Sequence, residues 1–219
     1  MAERKSLLAK NALTTLEEMM EFMGMDSDDA SIPNRAKNNL ERLINGASSY
    51  IETMTGRHFG KQDYQENHYG SGSQELCLNQ YPIRKIDQIQ DTENGIAIDP
   101  ESYSLVEYGH IGVVYRDEGW PYRGYVGGLA NDKVAGKRYL KVAYTAGYIL
   151  PKDAAEGEET DLPYDLQYVV WQMVQQQWTL ALNGANGLSA FSISDISWTF
   201  DKELNSQVQE VISKYTRLT

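Results

Sequence analysis

Residues 138–151 read RYLKVAYTAGYILP. Leu140, Val142 and Tyr144 alternate with Lys141, Ala143 and Thr145, the period-two pattern of a half-buried strand. Gly147 frees the backbone to turn, and Pro151 marks the end of extended chain. The stretch thus joins a β region on its N-terminal side to a helix on its C-terminal side, and that junction makes the chain α+β.

Upstream, from Asp63 to Tyr148, glycines, tyrosines and short alternating runs predict strands at 64–69, 75–78, 86–90, 103–107, 111–116 and 139–144. Ile83, Ile86 and Ile89 recur every third residue. That spacing fits neither a regular strand nor a full helical stripe, and it points to a bulge. The Gly-rich loop from Asp117 to Lys137 is too long for a tight hairpin. It carries Trp120, Pro121, Tyr122 and Tyr125, and it reads equally as a functional loop or as a surface excursion.

Downstream, Asp161 and Pro163 are expected to open a helix that places Leu166, Val169, Val170, Met173 and Val174 on one face and reaches Leu182. Asn183 to Gly187 breaks it, and Phe191 to Phe200 alternates like a strand or an extended arm. Val208, Val211, Ile212 and Tyr215 predict a last short amphipathic helix. At the other end of the chain, Thr15 with Glu18 has the capping-box spacing for a short helix carrying Leu16, Met19, Met20 and Met23 and stopped by Gly24. Pro33 then opens a longer helix with Leu40, Leu43, Ile44, Ala47, Tyr50, Ile51 and Met54 on its apolar stripe, closed by Gly56. Its other face carries Asn38, Glu41, Arg42, Asn45, Ser49 and Glu52, so one stripe is expected to enter the core. The predicted architecture is α+β: a bundle of two long and two short helices with an antiparallel β region inserted between the second and third. Residues 1–62 and 151–219 are expected to pack as one domain, with 63–150 as the insertion.

The composition narrows the function. With 20 Lys and Arg against 31 Asp and Glu, a formal charge of −11 opposes tight binding to a polyanion. No uninterrupted apolar run is long enough to span a bilayer, and Met1 to Lys10 lacks the pattern of an export signal, so a non-membrane, non-exported protein is expected. Cys77 is the sole cysteine, which suits a reducing compartment. It alternates with Leu76 and Leu78, and a buried structural thiol is favoured over a nucleophile, since no basic pattern nearby would activate it.

The motifs of catalysis are missing. His58, His68 and His110 fit no metal-ligand spacing, and there is no nucleophile elbow, phosphate loop or dinucleotide fingerprint. No catalytic residue, metal or cofactor is expected. The 15 tyrosines and four tryptophans, concentrated after Tyr64, allow a carbohydrate-binding or other small-ligand-binding β module as an alternative. Strand and core roles for these rings are favoured, because several share a strand face with Leu or Val.

Taken in order, several segments resemble the head–tail connector (adaptor) family of tailed bacteriophages and prophages. They are LTTLEE at 13–18 and FMG at 22–24, LINGASSYIE at 43–52 leading to TGRHF at 55–59, and LCL at 76–78 with YPI at 81–83. They continue with LKVAYTAGY at 140–148, LPYDL at 162–166, SISDIS at 192–197 and YTR at 215–217. Each string is short, but their order and spacing run nearly end to end. Two features depart from the compact pattern, namely a longer β region and the acidic insert Lys152 to Asp161.

The resemblance implies a structural virion protein and not an enzyme. It implies a subunit that closes with copies of itself into a ring, a dodecamer, beneath the portal protein at the head–tail junction, assembled in the bacterial cytoplasm. The ring would extend the channel through which DNA passes without sequence-specific binding, and would dock a stopper or tail-completion protein. Closure of this kind needs two different faces on each subunit. The expected portal-side or neighbour contacts are Phe191, Ile193, Ile196, Trp198, Phe200, Tyr215 and Arg217. The expected loop contacts are Trp120, Tyr122 and Tyr125.

Overall fold

Thr15 and Glu18 build a reciprocal cap. The Glu18 amide donates to Thr15 Oγ1 at 3.2 Å and the Thr15 amide donates to Glu18 Oε2 at 3.1 Å, which starts helix α1, Leu16–Phe22. In the computed structural model, which describes residues 4–122, 138–155, 159–183 and 202–216, three further helices follow: α2 Asn34–Thr55, α3 Tyr164–Asn183 and α4 Lys202–Tyr215. The fold is α+β, with antiparallel sheets inserted between α2 and α3. The chain divides into a helical unit, residues up to 59 with those from 149, and a β unit, residues 60–148.

In the helical unit, Pro33 precedes the first turn of α2 and Gly56, at φ 66°, ends it in the left-handed region that a side chain would disfavour. Leu40, Leu43, Ile44, Ala47 and Ile51 form its buried stripe and meet Leu166, Val169, Val170, Met173 and Val174 of α3 and Val208 and Ile212 of α4 in one core. Asp161, expected to cap α3, instead accepts the Ile149 amide at 2.7 Å, and the helix begins directly after Pro163, whose carbonyl accepts the Leu166 amide.

The expectation that only one stripe of α2 is committed fails. Residues 38, 41, 45, 48 and 52 recur at helical spacing on a second face, and the N-terminal segment, residues 4–15, lies along it as an extended strap. Arg4 donates to Asn38 at 3.1 Å and to both oxygens of Glu41, at 2.7 and 3.1 Å. Ser6 Oγ and the Leu7 amide also donate to Glu41, at 2.7 and 3.0 Å. Asn45 takes the Ala9 amide and gives to the Leu7 carbonyl, both at 2.8 Å. Ser48 accepts the Leu13 amide at 3.0 Å, and Asn11 donates to Glu52 at 2.9 Å. The strap closes one turn of its own, the Ala12 amide on the Ala9 carbonyl, and these other backbone groups are answered by polar side chains of α2, as a sheet neighbour would answer them. Glu41 and Ser48 are fully buried as a result. Burial alone would raise the Glu41 carboxyl, but the bonds from Arg4, Ser6 and Leu7 outweigh it and hold the group below the ordinary carboxylate range.

The β unit is built around the opening stretch. Strand β7, Leu140–Ala146, lies between β1, Gln62–His68, and β3, Ile83–Asp91, in a sheet of order β1-β7-β3-β4, where β4 is Ile96–Ala97. A second sheet, β2-β6-β5, joins Glu75–Cys77, Val113–Tyr115 and Ser104–Leu105. The every-third isoleucines are explained by two bulges. Ile83, Ile86 and Ile89 pair with Ala146, Tyr144 and Val142, because register shifts after Ile83 and after Ile86 each insert one extra residue in β3. Both sheets share one core of Leu76, Leu78, Ile83, Ile89, Val114, Trp120, Tyr139, Leu140, Val142, Tyr144 and Ala146. At the end of β7, Gly147 at φ 106° passes so close to the Gly60 carbonyl that a Cβ would collide with it.

Two expectations change here, those on Cys77 and on the strand at 103–107, while the core role favoured for the tyrosines holds. Cys77 is exposed, since Leu76 and Leu78 both point inward and a strand's period of two sends the residue between them to solvent. The predicted strand at 103–107 ends at Leu105, where the chain enters a 3-10 turn over Val106–Gly109. Tyr139 and Tyr144 are core residues. The Tyr144 hydroxyl donates to Glu66, which also accepts both nitrogens of Asn79, at 2.7 and 3.2 Å, and faces His68 Nε2 at 2.7 Å. Burial, then the adjacent Glu66 carboxylate, pushes the Tyr144 hydroxyl far above the usual tyrosine range, so it stays a donor.

Glu41→Gln is expected to destabilise the chain by about 2 kcal/mol at neutral pH, the scale for charge-assisted buried bonds. Because the folded-state carboxyl is depressed, its stabilisation is complete above the ordinary carboxylate range and is lost as pH falls through the folded-state value. Denaturant melts of wild type and variant should therefore converge in acid. Trp120→Ala should cost about 4 kcal/mol by leaving a cavity, and Trp120→Phe about 1 kcal/mol from the lost bond to Val114, both read from the same melts.

Candidate interaction surfaces

The predicted contact residues are distributed unevenly. Phe191, Ile193, Ile196, Trp198, Phe200, Arg217 and Tyr125 lie outside the described residues. Trp120 is not an exposed anchor: it is fully buried in the β unit, its indole N–H donates to the Val114 carbonyl at 3.2 Å, and the Arg116 guanidinium lies 5.6 Å from its ring. Tyr122, two residues on, is 56% exposed.

Tyr215 is also a core residue. Its hydroxyl donates to Asp165 at 2.7 Å, its carbonyl accepts the buried Arg57 guanidinium at 3.2 Å, and its ring meets Phe59 edge-on at 6.1 Å. Lys214 donates to the same Asp165 at 2.6 Å. Burial would raise the Asp165 carboxyl, yet the bonds from Lys214 and Tyr215 hold it down. The end of α4 is thus fastened to the start of α3, which fixes where the chain after Tyr215 departs.

Two exposed aromatic features escaped the sequence reading. On the helical unit, Tyr164 and Tyr168 stack at 6.3 Å, Phe22 meets Tyr168 edge-on at 5.9 Å and stacks on Trp171 at 5.3 Å, and Tyr164 meets Trp171 at 5.3 Å. Trp171 is buried and anchored by its N–H to Thr14 Oγ1 at 2.7 Å, while Tyr164 is 67% and Tyr168 40% exposed. The spacing 164, 168, 171 on one helix was the available signal, but Phe22 joins only through tertiary packing. On the β unit, Glu107 and Tyr108 adopt φ 47° and 54°, and Tyr108 is 92% exposed. Two consecutive non-glycine residues in that region carry strain of about 1–3 kcal/mol each. The strain holds Tyr108 outward on a turn that no propensity would have indicated.

The chemistry of these surfaces is that of contact. Among the described residues, no group of three or more His, Cys, Asp or Glu side chains is placed to hold a metal ion. His58 lies 3.3 Å from Glu52 and His68 2.7 Å from Glu66, each a local polar contact within its own unit. A groove of about 470 Å³ on the β unit is lined by Asp91, Ile96, Asp99, Arg116, Trp120 and Tyr139, and its Arg116 is already paired with Glu118 at 2.7 Å. No described helix is long and apolar enough to cross a membrane.

Comparison with known structures finds the fold in particle necks. The chain is similar to a protein in the neck of an empty gene transfer agent particle computed with C6 symmetry, at 13% identity over 99% of this chain and 95% of that one, TM-score 0.54. It is similar to one in the neck of the native particle computed with C12 symmetry, at 12% identity over 100% and 97%, TM-score 0.51. A third likeness, to the virion of the native gene transfer agent particle, has 13% identity over 100% and 97%, TM-score 0.51. These identities establish likeness of fold. No curated protein matches. The sequence of residues 12–157, more than half of the chain and spanning the strap's end, α1, α2 and the whole β unit, matches the family described as head completion protein. The chain belongs to the head completion protein family, and is a structural protein and not an enzyme.

Proposed function

We propose that this chain is a neck subunit of a tailed phage or prophage, closing with copies of itself into a ring, a dodecamer, beneath the portal. The ring extends the DNA channel and docks the stopper or tail-completion protein. The observation that carries the reading is the family match running through both units, from residue 12 to 157. The likeness to neck proteins in particles computed with C6 and C12 symmetry supports it. The charge of −11 is compatible with a channel wall that has little attraction for the strand, though many acidic proteins share it. The helical residues 1–62 and 151–219 form one domain of the subunit, and 63–150 an inserted β domain.

The portal side is assigned to the arm with Phe191, Ile193, Ile196, Trp198 and Phe200 and to the chain end at Arg217. Tyr215 supports that side from within: it is a core residue fixed to Arg57 and Asp165. In the loop, Tyr122 and Tyr125 are assigned to a neighbour or to the next ring, with Trp120 holding the loop's base in the core.

Deleting the gene in the parent phage is expected to yield filled heads and separate tails by electron microscopy. Normal infectious particles would end the reading. Because Tyr215 is core, truncating α4 would confuse unfolding with lost contact, so the arm is tested by Trp198→Ala with Phe200→Ala. This pair should weaken binding to isolated portal by about tenfold or more, the scale of aromatic hot spots, with an unchanged melting temperature. Unchanged portal binding would remove the arm from that interface.

A further inference from the structure

Two outward stripes of the helical unit carry complementary chemistry. On α2, Arg35 and Arg42 are exposed and seven residues apart; at about 100° per residue they lie opposite the buried stripe of Leu40, Ile44, Ala47 and Ile51. Among the described residues neither guanidinium is in an ion pair; Arg42 reaches only as far as Asn39 Oδ1, at 3.5 Å. On α3, Tyr164 and Tyr168 lie opposite its own buried stripe of Leu166, Val170, Met173 and Val174, and with Phe22 they form a stacked aromatic platform. Glu21, exposed and in no ion pair among the described residues, directly precedes Phe22 in α1.

α2 and α3 pack against each other through their buried stripes, so the two outward stripes face away from one another. Among the described residues, neither arginine lies over a ring of its own chain. They can reach those of a second copy, and two different faces meeting head to tail is the geometry that closes a ring. The pairing is chemically specific. Guanidinium planes stack on Tyr and Phe rings, arginine and tyrosine are the residue types that dominate interface energetics, and a carboxylate beside the rings neutralises a guanidinium as water leaves. On a chain of charge −11, a positive stripe meeting a carboxylate lowers the repulsion between copies.

We propose that the Arg35–Arg42 stripe of one copy seats on the Phe22–Tyr164–Tyr168 platform of the next, with Glu21 pairing the Arg42 guanidinium, as the contact between neighbouring copies. This rests on the ring reading above.

The test is complementation of a phage lacking the gene with full-length variants, read as plating efficiency and as copies of the chain per purified particle. Arg35→Lys with Arg42→Lys keeps the charge, the exposure and the helix propensity but removes the stacking plane, and should lower both readouts by about tenfold or more. Tyr168→Ala should do the same. Arg42→Glu and Glu21→Arg should each fail to complement, and the two together should recover about tenfold or more over either alone, as for a charge pair across an interface. A fully active lysine pair overturns the contact and assigns the stripe to a partner that needs only charge, DNA phosphate first. Absence of recovery in the charge swap, with single variants that melt like wild type, overturns it as well. A phage without the gene that still joins heads to tails overturns the neck reading itself, which keeps the two failures apart.

Discussion

The polar face of α2 is the constraint on which the helical unit depends. A helix with one apolar stripe can rest on a core and leave its other side to water. Here the second side is occupied by an extended strap whose amides and carbonyls are answered by Glu41, Asn45 and Ser48 in sequence. Glu41 is the centre of that ladder, because it is a buried carboxylate with four donors, two of them from one guanidinium. A buried charge without partners would be strongly unfavourable, so the strap and the helix specify each other. The strap in turn fixes Thr14 and the cap of α1, Thr14 holds the Trp171 indole, and Trp171 supports Phe22 and the tyrosines of α3.

The β unit is organised by a different device. Strand β7 is paired on both edges and buried on alternate residues, so its register cannot slip by one without turning Leu140, Val142, Tyr144 and Ala146 to the other side. β3 meets this fixed template with isoleucines at the wrong spacing and accommodates them with two bulges. Glu66, Tyr144, Asn79 and His68 then close one end of the sheet with hydrogen bonds in place of apolar contact. Burial would raise the Glu66 carboxyl, but these donors hold it low. These groups are polar chemistry that fixes the sheet's side chains relative to one another. In a head completion protein that is the useful property, since an assembly subunit acts by presenting surfaces in fixed positions.

Those surfaces were harder to anticipate than the fold. Trp120 and Tyr215 attract attention in the sequence as large aromatics near loops and chain ends, yet both are inside. Large rings bury the most apolar area, so a partly filled core takes them first. The rings left outside, Tyr108, Tyr164 and Tyr168, stand in segments that look unremarkable in one dimension. Tyr108 is outward because two residues are held in a strained turn, and Tyr164 and Tyr168 because Phe22 and Trp171 take the inner places.

What the sequence determined by itself is the set of periodic elements: the capping box at Thr15, the α2 stripe between Pro33 and Gly56, the alternation of 140–146, the α3 stripe after Pro163, and their order along the chain. These are local, since period, caps and special φ values are encoded within a turn or two of each residue. The family was legible for the same reason, as an ordered set of short local strings. Only tertiary structure decided the burial of Glu41, the exposure of Cys77, the bulged register of β3, the inward Trp120 and the aromatic platform of α3. Each depends on which side of an element another segment covers, and that partner lies tens of residues away: about 35 for the strap on α2 and 157 for Thr14 under Trp171. Periodicity can mark a face, but only packing shows what lies against it.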